Sequence, residues 1–343
     1  MSSPDISRQG GECPVFVQSH AAFTPRWRTL GEILSAVRSH HRFDPERDRL
    51  VSEQDLAAGA NLPPREFRKM DRFSLLTLSA VQPLLAPLSA EERTACGLFV
   101  GNMLAGWTFT EPQIRTLHTQ GAGAVSPYLA TAWFPAAAQG HTTIALGMQG
   151  IAKTVTTDRC SGGQAIGMAY HRLRHGASGS LMLAGGAEAP VTPLVLAALG
   201  DDERPAPLVE ASAFLLLRKG AAPVGAPVIG AHASFRLTTA VNAEARLRGF
   251  LDRHVRDRPL EAVVCDAPPW SGTERVLHGL LRRTRGEGLR LFDVCRTVGD
   301  ALGAGSALAA ALACELLQSL SPGRSVLVLS LGHQCVDLLW LYT

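Results

Sequence analysis

Apolar positions in this chain come in two rhythms. Short, nearly unbroken runs bounded by glycine or proline alternate with longer stretches of helical spacing. The runs at residues 14–17, 96–101, 153–157, 180–186, 213–217, 228–234, 262–266, 325–331 and 336–342 predict strands. Helical spacing covers 27–40, 75–85, 161–175, 241–255 and 303–317, and a further helical segment opens at Ser126-Pro127-Tyr128 and continues through 141–146. Residues 1–12 are polar and read as loose; residues 41–65, charged and proline-containing, read as a surface excursion. Strands apolar on both faces belong to a sheet covered by helices on both sides. Because the second half repeats this style, the expectation is an α/β protein of two similar halves, 13–200 and a shortened 201–343.

Composition narrows the class. Of 343 residues, 46% are hydrophobic but only 6% aromatic, so the core has to be built from Ala, Leu and Val packed closely. A net charge of +3 is far from a nucleic-acid-binding signature. No apolar stretch reaches the length of a membrane span, and the polar start Met1-Ser2-Ser3-Pro4-Asp5 carries no secretory pattern, so a cytoplasmic protein without membrane or nucleic-acid partners is expected. The seven cysteines are scattered and lack a CxxC pair, which indicates neither a metal site nor a disulfide framework. His141, His171, His175, His278 and His333 show no metal-like spacing, and Gly303-Ala304-Gly305 does not make a dinucleotide loop.

The turn Thr156-Thr157-Asp158-Arg159-Cys160-Ser161-Gly162-Gly163 carries the most chemical information. It links a strand to a helix start, where the helix dipole and unpaired N–H groups lower a thiol pKa. Around it stand Lys69-Met70-Asp71-Arg72-Phe73, Ser126-Pro127-Tyr128 with Gly140-His141, Gly147-Met148-Gln149-Gly150, and Ala184-Gly185-Gly186-Ala187-Glu188 with Thr192-Pro193. In this order, over roughly four-fifths of the chain, these landmarks resemble those of the β-ketoacyl synthases. That resemblance implies a thiolase-like five-layer α-β-α-β-α fold. It also implies a dimer formed through strands beside the nucleophile helix.

Two registers are open at the turn. Laid without gaps between Gly147 and Gly176, the family pattern puts the nucleophile position on Arg159, and Ser161-Gly162 match its Ser-Gly. Placing it on Cys160 needs one insertion and one compensating deletion within a buried strand and helix, where register is tightly held. An arginine is always charged and cannot be acylated. The two family histidines are also missing. The H-G-T-G-T-type loop reads Val264-Cys265-Asp266-Ala267-Pro268-Pro269-Trp270, and the K-x-x-x-G-H-type loop puts Cys295 at the lysine and Asp300 at the histidine. The glycine-rich gate becomes Leu331-Gly332-His333-Gln334-Cys335, and the stretch 200–208 is short.

Among ketosynthase-like proteins this pattern is most similar to the chain-length factors, or ketosynthase beta subunits, of type II polyketide synthases, which keep the scaffold and lack the cysteine. The resemblance implies no catalytic residue and no cofactor of the chain's own. Its partners would be an active ketosynthase alpha subunit and an acyl carrier protein bearing 4′-phosphopantetheine. Tyr128, Trp133 and Phe134 would lie at the interface and acyl tunnel. A buried Arg159 needs a carboxylate, with Asp300 and Asp158 as candidates. Two other readings stand beside this one: a divergent thiolase-fold acyltransferase using Cys160, and a homodimeric scaffold.

Overall fold

A computed structural model of the chain describes residues 13–41, 43–200, 206–255, 258–267, 272–285 and 288–343. The polar residues 1–12, and Pro268, Pro269 and Trp270 of the first loop, lie outside the described residues. In chain order the elements are β1 (Val15–Phe23), α1 (Leu30–Arg38), α2 (Glu53–Ala60), α3 (Pro64–Phe67), α4 (Arg72–Leu85), α5 (Ala90–Ala95), β2 (Gly97–Gly101), α6 (Trp107–Gln120), α7 (Leu129–Ala132), α8 (Ala137–Leu146), β3 (Ala152–Val155) and α9 (Ser161–Arg174). There follow β4 (Leu181–Glu188), α10 (Pro193–Leu199), β5 (Ala211–Lys219), β6 (Val228–Arg236), α11 (Ala240–His254), β7 (Leu260–Asp266), α12 (Gly272–Arg285), β8 (Arg290–Asp293), α13 (Val294–Val298), α14 (Gly305–Gln318), β9 (Ser325–Leu331) and β10 (Cys335–Tyr342).

The strands run in the order β3-β2-β4-β5-β1-β6-β10-β9-β7-β8. In the first five, β3, β2 and β4 are parallel, while β5 is antiparallel to both β4 and β1. The last five repeat the scheme: β8, β7 and β9 are parallel, and β10 is antiparallel to both β9 and β6. The two sets meet at the pairing of Phe16 with Val228. Although β5 lies beyond residue 200, its pairing places it with the first set, so the topological repeat turns over within 220–227.

Side-chain alternation sorts the strands into layers. On β5, Leu215 and Leu217 face a central core with Ile166 of α9 and Leu312 of α14, while Phe214 and Leu216 face an outer core with Leu76 of α4. On β9, Val326 and Val328 face the same central core, while Leu327 and Leu329 meet Leu247 of α11 and Leu280 of α12. Helices therefore cover both outer faces and fill the space between the two sets of strands, giving the α-β-α-β-α arrangement. The centre is tight because its helices are made of small residues. A Cβ on Gly162 of α9 would lie 2.8 Å from the Ala307 Cβ of α14.

Three expectations change. The supposed surface excursion at 41–65 holds α2 and α3, and Val51, Leu56 and Ala60 are buried beneath its charged residues. The segment from 126 to 146 is broken into α7 and α8. Helix α6 gave no apolar rhythm because Glu111 is its one buried residue. No helix among the described residues is long and apolar enough to cross a membrane.

Candidate functional site

Arg159 sits in the turn between β3 and α9 with none of its side chain exposed, and it is the bulkiest fully buried side chain among the described residues. Its Nη1 donates to Asp300 Oδ1, its Nη2 donates to Asp266 Oδ1 at 3.2 Å, and the Cys295 sulfur lies 3.9 Å from Nη2. Both carboxylates are buried as well. Among the described residues, Arg159 Nε and Asp266 Oδ2 have no hydrogen-bond partner. Among the described residues, no histidine is hydrogen-bonded to the guanidinium.

Local structure fixes each partner. Asp266 ends β7 opposite Gly305, where a Cβ would come within 2.7 Å of its carboxylate, so only glycine leaves room for it. Asp300 is held through its backbone: its N–H reaches Pro207 O at 2.8 Å and its carbonyl accepts from Val209 at 3.0 Å. Its carboxylate also takes the N–H of Leu302 at 2.9 Å, supporting that residue in a left-handed conformation (φ 44°) that non-glycine residues rarely adopt. Nearby, the buried Glu188 at the end of β4 accepts N–H bonds from Met103 (2.7 Å), Leu104 (3.0 Å) and Gly303 (3.1 Å).

The electrostatics follow from one trapped cation among several acids. Burial pushes Asp266 up to about 7, with Asp300 adding to the rise and Arg159 opposing it. Burial likewise lifts Glu188 to about 7 against its three N–H donors. The acids raise the Arg159 pKa further despite its burial, so the guanidinium stays charged. Burial, then Asp300, pushes the Cys295 thiol well up. This cluster fills the interior behind the β3–α9 turn with a fixed ion pair.

Asp158, the other candidate partner of Arg159, turns the opposite way. Its Oδ1 accepts the Cys160 N–H (2.9 Å) and the Cys335 S–H (2.9 Å), and its Oδ2 accepts the Gln334 N–H (3.1 Å). It thereby pins the 331–335 turn to the start of α9. Cys160 is the N-cap of α9 and fully buried, with its sulfur 3.8 Å from Cys335 O. Burial, then the Cys335 thiol, pushes the Cys160 pKa well up, which outweighs its place at a helix start. In the folded protein iodoacetamide should therefore modify the exposed Cys13 and spare Cys160. Mass spectrometry reads this directly, and equal labelling rates would restore Cys160 as a nucleophile.

The profile of the β-ketoacyl synthase N-terminal domain matches residues 41–203. That segment belongs to the β-ketoacyl synthase family. Nodulation protein E of Rhizobium leguminosarum bv. trifolii is 35% identical over 136 residues, 38% of this chain and 34% of the relative. A putative polyketide β-ketoacyl synthase 1 of Streptomyces virginiae is 29% identical over 180 residues, 49% of this chain and 43% of the relative. The chain thus spans well under half the length of these curated relatives. In fold it is similar to a structure described as a type II polyketide synthase acyl-carrier protein in complex with its ketosynthase bound to the hexaketide. The TM-score is 0.81 at 22% identity, covering 96% of this chain and 99% of that one. It is also similar to the ishigamide ketosynthase/chain length factor, with a TM-score of 0.77 at 19% identity over 96% and 99%. The fold is the thiolase-like ketosynthase fold.

Within this ketosynthase scaffold the sequence landmarks resolve into structural roles. Asp71 caps α4 through the Phe73 N–H (2.9 Å) and ties in α6 through Thr108 Oγ1 and the Phe109 N–H, both at 2.6 Å. His141 Nδ1 lies 3.2 Å from Ser74 Oγ. Tyr128, Trp133 and Phe134 do not join the Arg159 cluster; they are solvent-facing in the single chain, Trp133 the most at 54%. Glu188, quoted in the sequence only as the end of a landmark, is the buried acid near the cluster whose role the sequence reading missed. It could have been found as the one acid at the end of an otherwise apolar strand.

Proposed function

We propose that the chain is a non-catalytic ketosynthase-like subunit of the chain-length-factor type, working in the cytoplasm beside an active ketosynthase. The partner's cysteine would carry out the condensation on acyl chains delivered by a carrier protein on 4′-phosphopantetheine. This subunit would complete the interface and shape the acyl tunnel. The observation that carries the reading is the buried Arg159 paired with Asp300 and Asp266; on the gap-free register the arginine would take the nucleophile position and the two aspartates the histidine loops. A guanidinium there can neither attack a thioester nor leave room for one.

The β3 edge supports a pairing role. β3 pairs with β2 on one side, and no described strand covers the other. Ile144 on α8 (81% exposed), Ile151 just before β3 and Met168 on α9 leave apolar surface around it. Such surface marks an association site. Tyr128, Trp133 and Phe134 are further exposed apolar side chains, as a cap over a partner's tunnel would require. The two topological repeats, expected to divide at residue 200 but turning over within 220–227, would serve together in this role.

Co-expression with a ketosynthase and its carrier protein tests the reading. The pair should co-purify and condense, whereas this chain alone should give no condensation. Trp133→Ala should shift products to longer chains. Condensation by the isolated chain, lost on Cys160→Ser, would establish the acyltransferase alternative. A stable isolated homodimer that ignores the ketosynthase would establish the scaffold.

A further inference from the structure

On the far side of the 156–160 turn from the Arg159 guanidinium, the fold brings together two thiols and a carboxylate. One ligand atom each from Asp158, Cys160 and Cys335 lies within 4.8 Å of the other two. The cysteines are separated by 175 positions in sequence, which is why no spacing motif announces them. The carboxylate is already fixed by the Cys160 and Gln334 N–H groups, and the Gln164 Nε2 amide reaches the Cys335 sulfur at 3.6 Å. Gly332 permits the arrangement, since a Cβ there would overlap the Asp158 carboxylate. Asp158 and Cys335 line an open pocket of about 540 Å³ together with Thr157, Ser234 and His333, while Cys160 lies buried behind them.

We propose that Asp158, Cys160 and Cys335 form a binding site for a thiophilic divalent cation, zinc above all. Two sulfurs and one oxygen suit zinc, whereas magnesium and calcium take all-oxygen shells. Three protein ligands leave a fourth tetrahedral position toward the pocket, for water or for the His333 imidazole. The Asp158 backbone contacts and the Gln164 amide act as the outer-shell hydrogen bonds that orient ligands in such sites. The cation would clamp the β9–β10 turn onto the start of α9, joining elements from the two topological repeats. It would stand on the opposite side of the turn from the Arg159 guanidinium, and the inference does not rest on the chain-length-factor reading.

The test uses the full chain, stripped with a chelator under reducing conditions and titrated with cobalt(II) as a spectroscopic stand-in for zinc. One equivalent should give a thiolate-to-cobalt charge-transfer band with tetrahedral visible absorption, and zinc should displace it. Cys335→Ser changes a half-buried residue and Cys160→Ser is nearly isosteric. Each should weaken zinc binding more than the about 10–100-fold expected of outer-shell changes, while Cys13→Ser leaves it unchanged. Metal-free melting curves matching the parent show that the variants are folded; if one is not, the other carries the comparison. Absence of a thiolate–cobalt band would overturn the proposal, as would an affinity untouched by both serine variants. So would a Cys160–Cys335 disulfide in place of bound metal in the chain purified without chelator.

Discussion

Asp300→Ala destabilises the protein by about 3–5 kcal/mol, the cost typical of removing one partner from a buried ion pair. The Arg159 guanidinium is fully buried and keeps its charge, so without Asp300 only the single bond to Asp266 opposes it. The reverse deletion behaves differently. Arg159→Met leaves Asp266, Asp300 and Glu188 together, but carboxylates can take up protons and an arginine cannot give one away. Arg159→Met should therefore cost less than Asp300→Ala at pH 5, and its cost should grow toward pH 8. The double variant Arg159→Met with Asp300→Leu replaces the pair by apolar volume and should recover most of the loss. Urea unfolding of the parent and the three variants ranks them. If Asp300→Ala stays within about 0.5 kcal/mol of the parent, as an exposed substitution would, Arg159 is not held by this pair.

The scaffold was legible in the sequence because its signals are local. Strands such as 97–101, and 181–188 up to its closing Glu188, are apolar along their length, and a buried strand cannot disguise that pattern. The glycines of the turn were also legible, since Gly162 is demanded by a close helix–helix approach. What stayed hidden has two causes. Helix α2 buries Leu56 and Ala60 among acidic neighbours, and α6 buries almost nothing, so tertiary packing rather than periodicity makes them helices. The site was hidden differently. Asp266 and Asp300 come to Arg159 from 107 and 141 positions away, and only the family register suggested where to look for them. Between Asp300 and Asp158 the sequence had no means of choosing. Asp158 is adjacent to Arg159 in the chain, yet the turn sends the two side chains to opposite sides.

That geometry makes one guanidinium answer to more acid than it can neutralise, and the imbalance has a measurable signature at Asp266. Its folded pKa of about 7 lies above the ordinary carboxylate value of 3.8, driven by burial and then by Asp300, with Asp293 adding a smaller repulsion. A raised carboxyl stabilises the fold while protonated: the contribution is complete below about pH 3.8 and disappears as pH rises through about 7. The parent should therefore lose up to about 1.4 kcal/mol per pH unit from this group across that window, on the order of 4 kcal/mol in all. Asp266→Asn cannot ionise and still offers its oxygen to Arg159. Its stability relative to the parent should climb between about pH 4 and 7 and level off above about 8. Glu188, and the buried histidines whose lowered values act in the opposite sense, are common to both proteins and cancel in the difference. Urea midpoints for the two proteins at half-unit pH steps give the curve. Parallel pH profiles would mean that Asp266 is ionised throughout, with its charge fully matched by Arg159.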